Sequence, residues 1–241
     1  MNYLSDMHTH TIASGHAYST IAEMVRAAAQ KDMRLLGITE HAMAMPGTCQ
    51  LFYFQNMKVI PRQQQGIELM LGSELNVIDY EGGVDMDERT AEALDYAVAS
   101  FHPPCLTPGS AAENTRSACR VMEKPWVFIL GHPDDGRFPM NYEELVLASK
   151  ATGALIELNN SSLNPKGFRQ NAMENDRIIL KLCMRYDVPV IVNSDAHIDA
   201  DVGSCAYARK ALEETGFPEE LIINNRIDEI KNRILAKRAG L

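Results

Sequence analysis

Short apolar runs alternate with segments of helical periodicity along almost the whole of this chain. The runs cover residues 3–8, 35–41, 67–78, 96–102, 127–132, 154–159 and 189–194, and are rich in Ile, Val and Leu. Strands buried on both faces read as continuous apolar stretches of this length, because neither face meets water. Between the runs, a helical period recurs at 20–32, 88–95, 110–123, 141–152 and 170–187, with two further helices at 204–215 and 225–237. Ser19-Thr20-Ile21-Ala22-Glu23 and Asn141-Tyr142-Glu143-Glu144 offer N-caps where two of them begin. Seven strand–helix alternations predict an α/β fold with a parallel sheet, either closed as a barrel or open and doubly wound.

The last helix is expected to turn Ile227, Ile230, Ile234 and Leu235 inward and to leave Lys231, Arg233, Lys237 and Arg238 on a solvated side. Leu51-Phe52-Tyr53-Phe54 is expected to pack onto the sheet, and Pro103-Pro104-Cys105 to make a stiff loop. There is no linker, repeat or low-complexity stretch, so one domain spanning 1–241 is expected, a size that α/β barrels reach without division.

Composition narrows the class. With 46% hydrophobic residues the chain can bury a large core. A formal charge of -9 disfavours a nucleic-acid polymer as partner, because phosphate-backbone binding draws on clustered Lys and Arg. The five cysteines, Cys49, Cys105, Cys119, Cys183 and Cys205, include no CxxC pair, which suits reduced thiols. Neither a signal peptide nor a membrane-length apolar run is found. A cytoplasmic location without membrane partners is expected, and homo-oligomerisation is left open.

The ionisable residues gather at the ends of the runs. The first ends Asp6-Met7-His8-Thr9-His10, and residues i and i+2 of a strand point the same way. Others end in Glu40-His41, Ser73-Glu74, Phe101-His102 and Gly131-His132, and the last in Ser194-Asp195-Ala196-His197. His16 lies in the loop just past the first run, so these positions use all seven histidines. In parallel α/β folds the carboxyl ends of the strands share one face, where the histidines would meet Glu74 and Asp195. Gathering so many unpaired titratable groups is costly unless something compensates, and a divalent metal does. Imidazole with carboxylate suits Zn, Fe or Mn.

This array, His8-x-His10, His16, His41, Glu74, His102, His132 and Asp195-x-His197, resembles the PHP superfamily, named for polymerase and histidinol phosphatase. The segments 8–20 and 157–162 are most similar to its stand-alone YcdX-type phosphatases. The resemblance runs from residue 3 to about 235 and implies a distorted seven-stranded TIM-like (βα) barrel. It also implies three divalent ions, zinc first and Mn or Fe otherwise. His8, His10, Glu74 and Asp195 would hold one, and Glu74, His102 and His132 a second. His16, His41 and His197 would hold the third, with Glu74 bridging the first two. Glu74, Asp195 and His197 are then the catalytic core.

The implied activity is hydrolysis of a small phosphate ester by metal-activated water, needing no serine or cysteine nucleophile. Arg169 and Lys166, in the loop after the sixth run, are expected to clasp the substrate phosphate. Glu40 and Asp199 are candidate general acids by adjacency alone. The competing readings are an amidohydrolase-type metal hydrolase, whose dinuclear members often use a carbamylated lysine where this chain has His102, and a non-catalytic regulatory PHP module.

Overall fold

The predicted strands pair side by side in chain order in the computed structural model, which describes residues 3–240. They are β1 (Ser5–Asp6), β2 (Leu35–His41), β3 (Gln63–Gln64), β4 (Ile67–Asn76), β5 (Ala97–Ser100), β6 (Val127–Leu130), β7 (Leu155–Asn159) and β8 (Val190–Asn193). All neighbours on the path β1-β2-β4-β5-β6-β7-β8 are parallel. Among the strands of the described residues, β3 alone runs antiparallel, to β4, through a two-residue turn at Gln65 (φ 52) and Gly66 (φ 83). Two positive φ values in succession are what a tight hairpin asks for.

Past the ends of β1 and β8 the sheet curls back on itself. Thr9 bridges Ala196 in parallel, and the His10 N–H donates to the Ala196 carbonyl at 2.9 Å. Side chains seal the rest of the seam: Asn193 Oδ1 accepts from the Met7 N–H at 2.8 Å, and Asp6 Oδ1 from the Ser194 N–H at 3.2 Å. The result is a nearly closed α/β barrel, so the open doubly wound alternative falls away.

Around it lie α1 (Ile21–Gln30), α2 (Leu51–Asn56), α3 (Glu88–Ala93), α4 (Ala111–Met122), α5 (Tyr142–Thr152), α6 (Ala172–Tyr186), α7 (Ala206–Thr215) and α8 (Ile227–Arg238). Local sequence sets where several begin. Thr20 with Glu23, and Ser110 with Glu113, form reciprocal capping boxes on α1 and α4, and Asn141 caps α5. Gly153, at φ 74, ends α5 in the left-handed region open to glycine. The run at 51–54 packs in part: Phe54 is buried within α2, whereas Phe52 faces solvent.

The barrel interior is filled by Met7, Leu35, Tyr96, Phe128 and Ile191, which meet Ile230 and Ile234 of α8. The Tyr96 hydroxyl donates to the Met7 carbonyl at 2.6 Å. Gly37 leaves room for it, since a Cβ there would stand 2.0 Å from the Tyr96 oxygen. Helix α8 thus plugs the end of the barrel from which the strands start.

Two of its basic residues, Lys237 and Arg238, depart from the expected solvated side, while Lys231 and Arg233 keep to it, more than a third exposed and each paired with a carboxylate. Lys237 is buried, and its ammonium donates to the carbonyls of Met122 at 2.7 Å and Thr152 at 2.9 Å, the final residues of α4 and α5. Arg238 donates to the carbonyls of Glu92, Leu94 and Asp95 at the end of α3, and Lys231 pairs with Glu68 at 2.7 Å. Helix C-termini leave carbonyls unsatisfied and carry partial negative charge, so cations seat there. Leu235, expected to face inward, is exposed instead.

Candidate metal centre

Each proposed donor reaches the same end of the barrel. His8 and His10 lie on extended chain just past β1, and a 3-10 turn at Ile12–Ser14 brings His16 back over them. His41 is the last residue of β2 and is paired in register with Glu74 of β4. His102 and His132 follow β5 and β6 by two residues, and Asp195 and His197 follow β8 by two and four. His132 (φ 29) and Asp195 (φ 54) hold backbone conformations that non-glycine residues seldom adopt. Strain of this kind persists where surrounding structure imposes it, often at functional sites.

Glu74 is the hub. Its Oε1 lies 3.3 Å from His8 Nε2, 3.4 Å from His102 Nε2 and 3.0 Å from His132 Nε2. Its Oε2 lies 3.4 Å from His10 Nε2 and 2.6 Å from His41 Nδ1. Asp195 Oδ1 stands 3.7 Å from His8 Nε2, 3.4 Å from His10 Nε2 and 3.5 Å from His197 Nδ1. The His16 ring centre is 4.8 Å from that of His41 and 4.9 Å from that of His197.

These approaches are close, yet several are not hydrogen bonds. His8 Nε2, His10 Nε2, His41 Nδ1 and Glu74 Oε2 are buried without a hydrogen-bond partner. Donors that converge on a common point, instead of pairing, suit an ion. Two atoms each about 2.0–2.2 Å from one metal, at angles between right and tetrahedral, stand about 2.9–3.5 Å apart, which is the range seen here for most pairs. Three sets draw their ligand atoms within 4.8 Å of one another: His8, His10 and Glu74; His41, Glu74 and His102; and His10, His41 and His197. The residues therefore fit a divalent cation.

Electrostatics agree for Glu74, Asp195, His10 and His102. His8 runs the other way: against burial, Glu157, Glu74 and Asp195 hold it well above the usual imidazole range. Burial opposes charge on Glu74, but the imidazoles of His41, His8 and His102 outweigh it and hold the carboxyl well below its usual range. Burial likewise opposes the Asp195 charge, and His8, His10, Arg169 and His197 reverse it. His10 is held well below the ordinary imidazole range by burial and by His41 and His197, and burial takes His102 down to about 4. A neutral imidazole is the form that ligates metal.

A family-model match for the PHP domain covers residues 6–239. The chain belongs to the PHP domain family. It groups there with phosphatases: it is 44% identical over 230 residues to a probable phosphatase of Clostridium botulinum strain Hall, covering 95% of this chain and 93% of that one. A probable phosphatase of Clostridium novyi is 41% identical over 240 residues, covering 100% and 97%. In fold the chain is similar to histidinol phosphate phosphatase from Lactococcus lactis, solved with zinc, L-histidinol and phosphate, at TM-score 0.62 and 15% identity over 90% of this chain and 95% of that one. A chain of archaeal ribonuclease P, solved with mature tRNA, shares the fold at TM-score 0.59 and 16% identity, covering 98% and 92%.

The PHP centre is braced by residues that the ligand pattern did not single out. Glu157 of β7 meets His8 Nδ1 at 2.8 Å and accepts from the His132 N–H at 2.9 Å and from Asn193 Nδ2 at 2.8 Å. Asn76 Oδ1 meets His102 Nδ1 at 2.8 Å, and Ser14 Oγ meets His10 Nδ1 at 3.0 Å. Such partners fix ring orientation and tautomer. Glu157 was the findable one, since it is an acidic residue inside an otherwise apolar run.

Above the PHP centre opens a cavity of ≈ 550 Å³ lined by His16, His41, His102, Asp195, His197, Arg137, Phe168 and Arg169, among others. Of the two cations expected there, the structure brings in Arg169 and leaves Lys166 exposed outside the lining. Arg169 is already engaged: its Nη1 donates to Ser162 Oγ at 2.8 Å and its Nη2 to Asp195 Oδ2 at 3.1 Å. Glu40 lies behind the cluster, accepting from Ser14 Oγ at 2.6 Å and the Thr11 N–H at 3.0 Å, so it serves the His10 support and not the cavity. Asp199 also stands outside the lining, whereas Asp201 reaches it. Cys105 is half-buried beside His102, and burial pushes its thiol up to about 12.

Proposed function

We propose that this chain hydrolyses a small phosphate monoester, with water as the attacking group, in a site of three divalent ions. The observation that carries the reading is the set of unpartnered imidazole nitrogens converging on Glu74 and Asp195. In the proposed partition, His8, His10, Glu74 and Asp195 hold one ion, Glu74, His102 and His132 a second, and His16, His41 and His197 a third. Zinc is the first choice, as in the Lactococcus lactis enzyme's crystal, and Mn or Fe suit the same donors. Such ions, when bound, lower the pKa of water and neutralise charge on phosphoryl oxygens.

The chain's own residues do the rest. Glu74 and Asp195 supply the negative charge that balances the ions, and Glu157, Asn76 and Ser14 hold three of the imidazoles in register. Arg169 faces the cavity from a fixed position and offers the phosphate those guanidinium N–H groups that Asn159, Ser162 and Asp195 leave over. A small phosphorylated molecule fits a cavity of this size.

Elemental analysis of protein purified without chelator, joined to a panel of phosphomonoesters, tests the reading. Close to three ions per chain and chelator-sensitive phosphate release are expected. One ion or none, in protein that still releases phosphate, would overturn the three-ion site. Fully metallated protein that releases phosphate from no monoester would overturn the activity.

A further inference from the structure

One wall of the cavity carries an exposed phenyl ring. Phe168 leaves 73% of its surface open and lines the same cavity as His41, His102 and His197. Exposed apolar residues standing singly are ordinary and need no explanation. This one is held in place. The Arg137 guanidinium carbon lies 5.1 Å from the ring centre and that of Arg169 5.7 Å, both within cation–π range. Arg137 is itself fixed by Asp135, which accepts from its Nε at 2.9 Å and its Nη2 at 2.5 Å. Arg169 is fixed by Asp195. The ring therefore rests on two anchored guanidiniums.

The same cavity is lined by Pro103, Pro104 and Met45, whose side chains have no hydrogen-bond donor. With a phosphate at the metal centre, its leaving group must lie against these surfaces. A polyol would lose water there, and beyond Ser161 and Asp201 the polar groups of the lining are proposed metal donors or guanidiniums already bound to Asp135 and Asp195, so the loss at its hydroxyls is incompletely offset. Asp135 and Asp195 are already bound to the two guanidiniums, so a cationic amine beside the ring would take no counter-charge from them. Asp201 on the rim would attract it, but that residue is exposed and its charge is screened. A flat apolar ring meets none of these penalties, and can pack edge-to-face or offset against Phe168.

We propose that this part of the cavity is a leaving-group subsite for an uncharged aromatic ring, with Phe168 as the residue that selects it. The preferred substrates are then phosphate monoesters of arylalkyl alcohols, an inference that rests on the phosphatase reading above.

The test compares three primary-alkyl esters: benzyl phosphate, glycerol 3-phosphate and ethanolamine phosphate. Each is assayed with the wild type, Phe168→Leu and Phe168→Tyr, and calorimetry follows binding of benzylphosphonate and methylphosphonate, which carry no scissile ester. Wild type should favour benzyl phosphate. Its benzyl-to-glycerol ratio of kcat/KM should fall about three- to tenfold in Phe168→Leu and recover in Phe168→Tyr, the size of a lost aromatic pair. The benzylphosphonate advantage in binding should fall and recover in parallel. Equal ratios in all three proteins, with the esters turned over, would overturn the subsite and leave the phosphatase reading standing. Selective, Phe168-dependent binding of benzylphosphonate without hydrolysis of any ester would uphold the subsite and overturn the phosphatase reading. Neither hydrolysis nor selective binding would overturn both.

Discussion

Arg169 Nη2 lies 3.1 Å from Asp195 Oδ2, and both side chains are buried at 7% and 5% exposure. A cation that faces the cavity is thus bound to a proposed metal ligand, and the same guanidinium holds Ser162 and Asn159. In the proposed reading, phosphate recognition and ligand orientation are joined in one side chain.

That coupling makes Arg169→Lys and Arg169→Ala different experiments. Lysine keeps the charge but loses the fork, so metal content should hold while kcat/KM falls. A lost charge-assisted contact is worth on the order of 1.5–3 kcal/mol, or roughly ten- to over a hundredfold. Alanine also frees Asp195, so bound metal should fall as well. Elemental analysis with steady-state kinetics of both variants decides it; full metal content in Arg169→Ala would separate the two roles.

Glu74→Gln should be more severe. The carboxylate approaches five imidazoles, and an amide removes the negative charge at their centre. Metal stoichiometry is expected to drop by at least one ion and kcat to fall more than about a hundredfold, consistent with the weight of charge stabilisation in such sites. Retained metal and wild-type turnover would remove Glu74 from the centre.

Glu157→Gln tests the support behind the ligands. The substituted amide cannot accept at both oxygen positions, so the His8 ring or the His132 backbone loses its partner. Loss of a second-layer partner typically costs about 10–100-fold in metal affinity or activity. Competition with a chelator of known affinity measures the first and phosphate release the second. Unaltered values in both would make Glu157 a packing residue.

Stripping the metal should lower thermal stability as well as activity. A cluster of buried imidazoles and carboxylates loses the charge that compensates its burial, and an ion that binds only the folded state stabilises it by mass action. Calorimetric Tm should fall on dialysis against chelator and rise again with added zinc. A Tm indifferent to zinc would show that the cluster does not bind it.

Lys237→Met addresses the other end of the barrel. It leaves the terminal carbonyls of α4 and α5 without a donor and should cost about 1–3 kcal/mol. The expected fall in Tm is roughly 2–4 °C per kcal/mol for a chain of this size. Burial brings the Lys237 amine down from 10.5 to about 8. Between those values the unfolded chain holds more protons than the folded one, so the stability contributed through Lys237 rises with pH across that window. The advantage of wild type over Lys237→Met should grow between pH 8 and 10.5, as read by denaturant unfolding. A constant difference would place the folded-state value at about 10.5, and a shrinking one above it.

The sequence alone determined the alternation of strands and helices, and with it the face on which His8, His10, His41, Glu74, His102, His132 and Asp195 would meet. Those are properties of periodicity: a buried parallel strand is apolar for most of its length, so a histidine or carboxylate near its end marks the approach to the edge of the core. Tertiary structure decided what periodicity cannot encode. The seam between Thr9 and Ala196 closed the barrel, and that contact joins residues far apart in the chain. Only the closed barrel sets Glu157 against His8, and Arg169 against Asp195. Only it turns Lys237 from a surface charge into a cap on two helices, because a helix end seeks a cation wherever packing delivers one. Side chains of one helix face look alike in sequence; which neighbour each meets depends on the crossing of elements the chain visits much earlier.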